Sequence, residues 1–137
     1  EVYRSMPVYV CEKISRLLKK PGVALSRSKP LFLGVGYKNN SGDTRESPAL
    51  GILASLRKSG AEISYHDPLV SNITNKDLEL KGIKLTEKVL KETDLVVITN
   101  GVKDIDYDWI LQHAPEVFDT RNATKHIQKL REKIVLL

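Results

Sequence analysis

The sequence predicts an α/β fold: a doubly wound, mainly parallel sheet preceded by an amphipathic helix. Three observations predict it. Leu31 to Val35 and the stretch "DLVVIT" are unbroken apolar runs of strand length, as in strands buried on both faces of a parallel sheet. Helical patterns such as "SPALGILASLRKSG" alternate with those runs. Glycines and an Asp-Pro pair then punctuate the strand and helix ends, at Gly34, Gly60 and Asp67-Pro68.

The elements follow in order. "MPVYVCEKISRLLKK" places Val10, Ile14, Leu17 and Leu18 on one helical face, with Pro7 tolerated in the first turn. "PGVALSRSKP" breaks that pattern and reads as a linker. After the first strand comes a long charged loop. Ser47 then stands as helix cap and Pro48 as first helical residue, with Ala49, Ile52, Leu53 and Leu56 as the buried stripe and Gly60 as the stop. "AEISYHDP" alternates, with Ile63 and Tyr65 on one side, and predicts a strand near a sheet edge. Residues 69–93 predict a polar loop, a short strand around Ile83 and a short helix from Thr86 to Lys91. "DLVVIT", a helix over Tyr107 to His113, "EVFDT" and "KIVLL" complete the alternation.

Composition narrows the function. The chain has 137 residues, 41% hydrophobic and 28% charged, which suits one globular domain. The net charge of +5 is mild, and the Lys and Arg residues are scattered instead of forming a basic stripe, which argues against nucleic acid. One cysteine, Cys11, excludes an internal disulfide and any CxxC metal site, so no metal is expected. No signal peptide or apolar span of about 20 residues appears, which predicts a cytoplasmic protein without a membrane segment. The chain opens on Glu1 inside a helix approach, as a piece of a longer protein would.

In open α/β sheets, ligands bind beyond the carboxyl ends of the strands. Three loops therefore matter: Gly36 to Ser47, Asp67 onward, and Asp119 to Thr124. The first carries Tyr37, Lys38, Asp43 and Arg45, and the third Arg121 and Asn122. Two guanidinium groups and a lysine on one rim suit a diphosphate, and Tyr37 suits stacking on a base or sugar. Lys38 and Arg121 follow different strands, and their convergence requires those strands to be neighbours. Plainer readings stand beside these. Lys38 also reads as solvated, Arg45 as braced by Asp43 and Glu46, Arg121 as a buttress of its turn, and His66 as structural. Cys11, at mid-helix with no histidine spaced to activate it, reads as packing, and so do Met6 and Trp109. A complete NAD-binding unit is disfavoured: Asn39 stands where the glycine fingerprint wants a third small residue, and eleven residues separate Gly36 from Pro48.

Taken together, "GVGYKNNSGDTRESPAL", "GAEISYHDPLV", "TDLVVITN" and "PEVFDTRNAT" resemble the C-terminal domain of the UDP-glucose/GDP-mannose dehydrogenase family. "SMPVYVCEKI" resembles the start of that family's long central helix. The resemblance implies a Rossmann-like UDP-binding domain over residues 29–137. Residues 1–28 would be the end of the central helix and its linker, through which a homodimer forms. It implies an enzyme that oxidises the C6 alcohol of a UDP-sugar to a carboxylate with NAD, through a cysteine thiohemiacetal, for surface polysaccharide synthesis. The family's Gly-Gly-x-Cys nucleophile motif does not occur in this chain, and Cys11 does not match it, so no catalytic residue is expected here. By the same resemblance Tyr37, Lys38 and Arg121 contact the UDP-sugar and Arg45 reaches NAD. "RSMPVYV" and "DTRNAT" are similar to the branch acting on UDP-N-acetylhexosamines. The alternative from another class is a free-standing nucleotide-binding or dimerisation module without catalysis.

Overall fold

A computed structural model describes residues 2–19, 25–36, 47–74, 78–102 and 104–137. In chain order, α1 (Val2–Leu18) leads through a 3₁₀ turn at Leu25–Arg27 to β1 (Pro30–Leu33), α2 (Pro48–Lys58) and β2 (Ser64–His66). β3 (Asn72–Thr74), β4 (Glu79–Lys81), α3 (Glu87–Glu92) and β5 (Leu95–Ile98) follow. Then come α4 (Tyr107–His113), β6 (Val117–Asp119), a second 3₁₀ turn at Arg131–Lys133, and β7 (Ile134–Leu136).

Five strands pair in parallel in the order β2-β1-β5-β6-β7. Counted within the sheet alone this is 2-1-3-4-5, a doubly wound order whose direction of winding reverses between β1 and β5. The register is continuous across the centre, with Phe32 beside both Tyr65 and Val97, and Val97 beside Phe118. The apolar runs explain who sits in the middle: every residue of β1 and β5 is buried, because helices cover both faces. β2 lies at an edge, as its alternation predicts.

Side chains alternate between two cores. Phe32, Val97, Phe118 and Tyr65 point to the layer of α1 and α2. Leu31, Leu33, Val96 and Ile98 point to α3 and α4, against Leu90, Ile110 and Leu111. In α2 the predicted stripe Ala49, Ile52, Leu53 and Leu56 is buried. The helix ends at Ser59, followed by Gly60 at φ +92°, a left-handed turn that favours glycine. α4 spans the predicted residues.

Three expectations change. α1 starts at Val2, so Pro7 lies inside the helix and costs it a hydrogen bond there instead of marking its first turn. Its predicted stripe is used within the chain: Val10, Ile14 and Leu18 are buried against the α2 layer and Leu17 packs beside them. Burying such side chains stabilises by about 1.5–3 kcal/mol each, which fixes α1 to the sheet. Ser47 does precede α2, but its hydroxyl makes no cap bond to the helix. Lastly, the strand expected around Ile83 is replaced by the antiparallel hairpin of β3 and β4, which stops at Lys81. Ile83 instead borders β2, its N–H donating to the Tyr65 carbonyl at 2.9 Å and its carbonyl meeting His66 Nδ1 at 2.7 Å. His66 is thereby structural.

Candidate functional site at the carboxyl edge of the sheet

Because all five strands run the same way, the exits of β1, β5 and β6 share one rim at the reversal point of the sheet. Of the predicted site residues, Arg121 is described there. Tyr37, Lys38 and Arg45 lie outside the described residues, as do Asp43 and Glu46. One geometric expectation is corrected: the strands preceding Lys38 and Arg121 are not neighbours. β5 lies between β1 and β6. The two exits are thus two strand spacings apart, about 10 Å, since order along the chain does not fix order across the sheet.

Arg121 is presented by a turn that one carboxylate organises. Asp119, the last residue of β6, is 1% exposed. Its Oδ1 accepts the N–H groups of Arg121 at 3.0 Å and Ala123 at 3.1 Å. Its Oδ2 accepts the Thr124 N–H at 2.8 Å and hydroxyl at 2.6 Å. Asn122 completes the turn at φ +55°, a conformation asparagine tolerates. The buttressing of this turn falls to Asp119, while among the described residues the exposed Arg121 guanidinium has no hydrogen bond or ion pair. Beside it opens a concavity of about 560 Å³ walled by Asp119, Thr120, Arg121, Asn122, Leu136 and Leu137. Behind the turn, Tyr107 receives the Val102 N–H at 3.5 Å. Burial, and then the negative charge of Asp119, push its phenol pKa up.

The exits of β1 and β5 are joined in detail. Gly34 has φ +76°, and a Cβ there would collide with the Asn100 carbonyl oxygen and stand 2.9 Å from Asn100 Cβ. Thr99 Oγ1 donates to the Gly34 carbonyl at 2.5 Å, and Thr120 Oγ1 donates to that of Ile98 at 2.7 Å. The Gly36 carbonyl receives Asn100 Nδ2 at 2.8 Å and Ser47 Oγ at 3.3 Å. Asp67, also buried, accepts the N–H groups of Val35 and Leu69, each at 2.9 Å.

The chemical consequence concerns sign. Strand carboxyl ends display carbonyl oxygens, which repel an anion. Here the carbonyls of Gly34, Gly36 and Ile98 are each covered by a side-chain donor, and the carboxylates of Asp67 and Asp119 are engaged by backbone N–H groups, that of Asp67 reaching across to Val35. Among the described side chains here, the Arg121 cation is left free for an anion. Sequence reasoning identified Arg121 and the loops after β1 and β6 but passed over the β5 exit, where Thr99 and Asn100 act. The signal available was a polar Thr-Asn-Gly directly after a fully apolar strand.

Among the described residues no cluster of three His, Cys, Asp or Glu side chains could hold a metal ion, and no helix is long and apolar enough to cross a membrane.

Comparison with known proteins shows the family and the fold. Residues 31–126 match the model of the UDP-binding domain of the UDP-glucose/GDP-mannose dehydrogenase family. The chain is 34% identical over 133 residues to a UDP-N-acetyl-D-mannosamine dehydrogenase of Methanococcus maripaludis, covering 92% of this chain and 30% of that protein. It is 33% identical to UDP-glucose 6-dehydrogenase 4 of Arabidopsis thaliana, covering 87% of this chain and 31% of that one. Two solved structures share the fold. The UDP-D-ManNAc dehydrogenase of Pyrococcus horikoshii superposes with a TM-score of 0.71 at 23% identity, covering 97% of this chain and 30% of its own. The NDP-N-acetyl-D-galactosaminuronic acid dehydrogenase of Methanosarcina mazei gives 0.74 at 23% identity, covering 97% and 29%. The chain therefore spans about three tenths of the length of these relatives.

Proposed function

Since the chain belongs to the UDP-glucose/GDP-mannose dehydrogenase family, we propose that it is the nucleotide-holding C-terminal part of an NAD-dependent UDP-sugar 6-dehydrogenase. The sugar nucleotide in this reading is a UDP-N-acetylhexosamine, oxidised at C6 to the uronate for surface polysaccharide synthesis. The observation that carries the reading is the rim: the carbonyls of Gly34, Gly36 and Ile98 and the carboxylate of Asp119 are engaged, and among the described residues the Arg121 guanidinium stands unengaged beside a concavity. Such a surface suits a diphosphate.

In this proposal Arg121 holds the diphosphate, Tyr37 and Lys38 contact the same UDP-sugar, and Arg45 reaches the NAD bound by a separate domain. Residues 1–28 are the connecting segment, residues 29–137 the UDP-binding domain, and the full enzyme is a homodimer. The 137-residue chain binds and does not catalyse. Cys11 supports that division, since its Sγ lies 3.6 Å from Ser55 Oγ on α2 and no histidine pairs with it.

Calorimetric titration of the chain with UDP and with NAD tests the reading, together with Arg121→Ala and Arg45→Ala. UDP is expected to bind more tightly than NAD. Arg121→Ala is expected to lose about 1.5–3 kcal/mol of UDP affinity, the value of a charge-assisted hydrogen bond, at no cost in folding stability. Arg45→Ala is expected to lose less. Preference for NAD, or a larger loss of UDP affinity in Arg45→Ala, overturns the assignment.

A further inference from the structure

Asn100 leaves β5 at the reversal point of the sheet, and its side chain is 3% exposed. Through Nδ2 it donates to the Gly36 carbonyl at 2.8 Å, across 64 residues of sequence. The same oxygen receives the Ser47 hydroxyl. One carbonyl thus ties together the exit of β5, the exit of β1 and the start of α2.

Without this tie the backbone there is weakly specified. Gly34 and Gly36 flank a single valine, and glycine has the widest choice of backbone conformation. The segment is held from one side by Asp67 Oδ2, which accepts the Val35 N–H at 2.9 Å, and from the other by Thr99 at Gly34 and Asn100 at Gly36. Asn100 acts farthest along, on the residue from which the chain continues to Tyr37.

We infer that Asn100 is a positioning residue for nucleotide binding: its amide donor, and not its volume, sets Gly36 and so the direction in which the chain leaves β1. This rests on the nucleotide reading of the rim. The chemistry asks for a neutral donor. An aspartate of the same size would set a carboxylate against a carbonyl oxygen, and both are acceptors. Its protonated form would donate again, and burial raises the pKa at which that form appears.

The test uses the 137-residue chain, UDP as probe, and Asn100→Asp. Thr93→Val is the control, a buried polar site whose hydroxyl donates to the Val89 carbonyl at 2.8 Å, before the amino end of β5 and so away from the carboxyl rim. At pH 8 Asn100→Asp is expected to weaken UDP binding about tenfold, as the loss of one buried hydrogen bond implies. The deficit, taken as a ratio to wild type at each pH, is expected to close on acidification. Thr93→Val is expected to lose thermal stability and keep UDP affinity. Amide exchange at Val35 is expected to speed up in Asn100→Asp and not in Thr93→Val. Wild-type affinity for UDP in Asn100→Asp at pH 8, or an equal loss in Thr93→Val, overturns the inference. If the wild type itself fails to bind UDP, the nucleotide reading falls, and Val35 exchange decides separately whether Asn100 sets the β1 exit; unchanged exchange sinks that too. Should Asn100→Asp fail to fold, Asn100→Ser, whose hydroxyl is too short to span the gap, takes both measurements with the same outcomes and no pH rescue.

Discussion

Replacing Asp119 with asparagine changes one oxygen for an NH₂ group and leaves the shape of the side chain intact. In the native turn the carboxylate accepts four hydrogen bonds, two on each oxygen, from Arg121, Ala123 and twice from Thr124. Asparagine can keep one oxygen toward Arg121 and Ala123. Its NH₂ then faces the Thr124 N–H and hydroxyl. The hydroxyl can turn and accept, but the N–H cannot, and it is buried. A buried donor left without an acceptor costs about 1–3 kcal/mol. Exchanging charge-assisted bonds for neutral ones adds roughly 1 kcal/mol, since the former are about twice as strong. Asp119→Asn should therefore lose about 2–4 kcal/mol, a large part of the roughly 5–15 kcal/mol typical of a domain. Urea unfolding followed by circular dichroism, with unchanged slope, measures it. The same variant should bind UDP more weakly at temperatures where it remains folded, because the turn presenting Arg121 is loosened. A loss under about 0.5 kcal/mol would refute the account, for that is the size of an ordinary surface substitution.

Two further outcomes follow from the packing. Gly34→Ala should cost about 3 kcal/mol, from roughly 1–2 for a left-handed residue with a Cβ and 1–3 for overpacking against Asn100, and a melting curve within a degree of wild type would contradict it. Burial, with the charges of Asp67 and Asp119 adding, pushes the phenols of Tyr65 and Tyr107 up. Their folded pKa values exceed the unfolded value of about 10, so their stabilisation is fully present below that pH and is lost as pH rises through the folded values. Stability of Tyr65→Phe should fall less steeply than that of wild type above pH 10, and parallel pH profiles would count against the reasoning.

What could be read in advance was whatever local pattern controls. Leu31 to Val35 and Leu95 to Ile98 announce themselves as buried strands because both faces of the central sheet are covered. Tyr107 to His113 is a helix as its place in the alternation predicts, and the structure adds its cap, Asp106 accepting the Trp109 N–H at 3.1 Å. The hairpin of β3 and β4 was not legible: three-residue strands leave too few positions for alternation, and Asn72, Thr74, Glu79 and Lys81 are all exposed. The start of α1 was hidden because Pro7 imitates a helix beginning. Spatial order was the larger gap. Nothing local places β5 between β1 and β6, and so nothing local brings Asn100 to Gly36. The site residues read from the sequence were an aromatic, Tyr37, and the charged Lys38, Arg45 and Arg121, whereas Thr99, Asn100 and Thr120, which shape the rim through hydroxyl and amide donors, carry no such flag.

The seating of α1 against the sheet bears on how the chain comes together in time. Lys13 in that helix sends its ammonium to the Leu136 carbonyl at 2.9 Å, 123 residues further along the chain, and over the Phe118 ring at 5.5 Å. The helix is thus made well before the strand that completes its contacts. Contacts of such long range tend to slow folding, because the intervening chain must be ordered before they give anything back. Until β7 arrives, the Phe118 side of the sheet and the apolar stripe of α1 have only part of their cover. The two ends of the described chain mature together, and an injury to either is felt at the other.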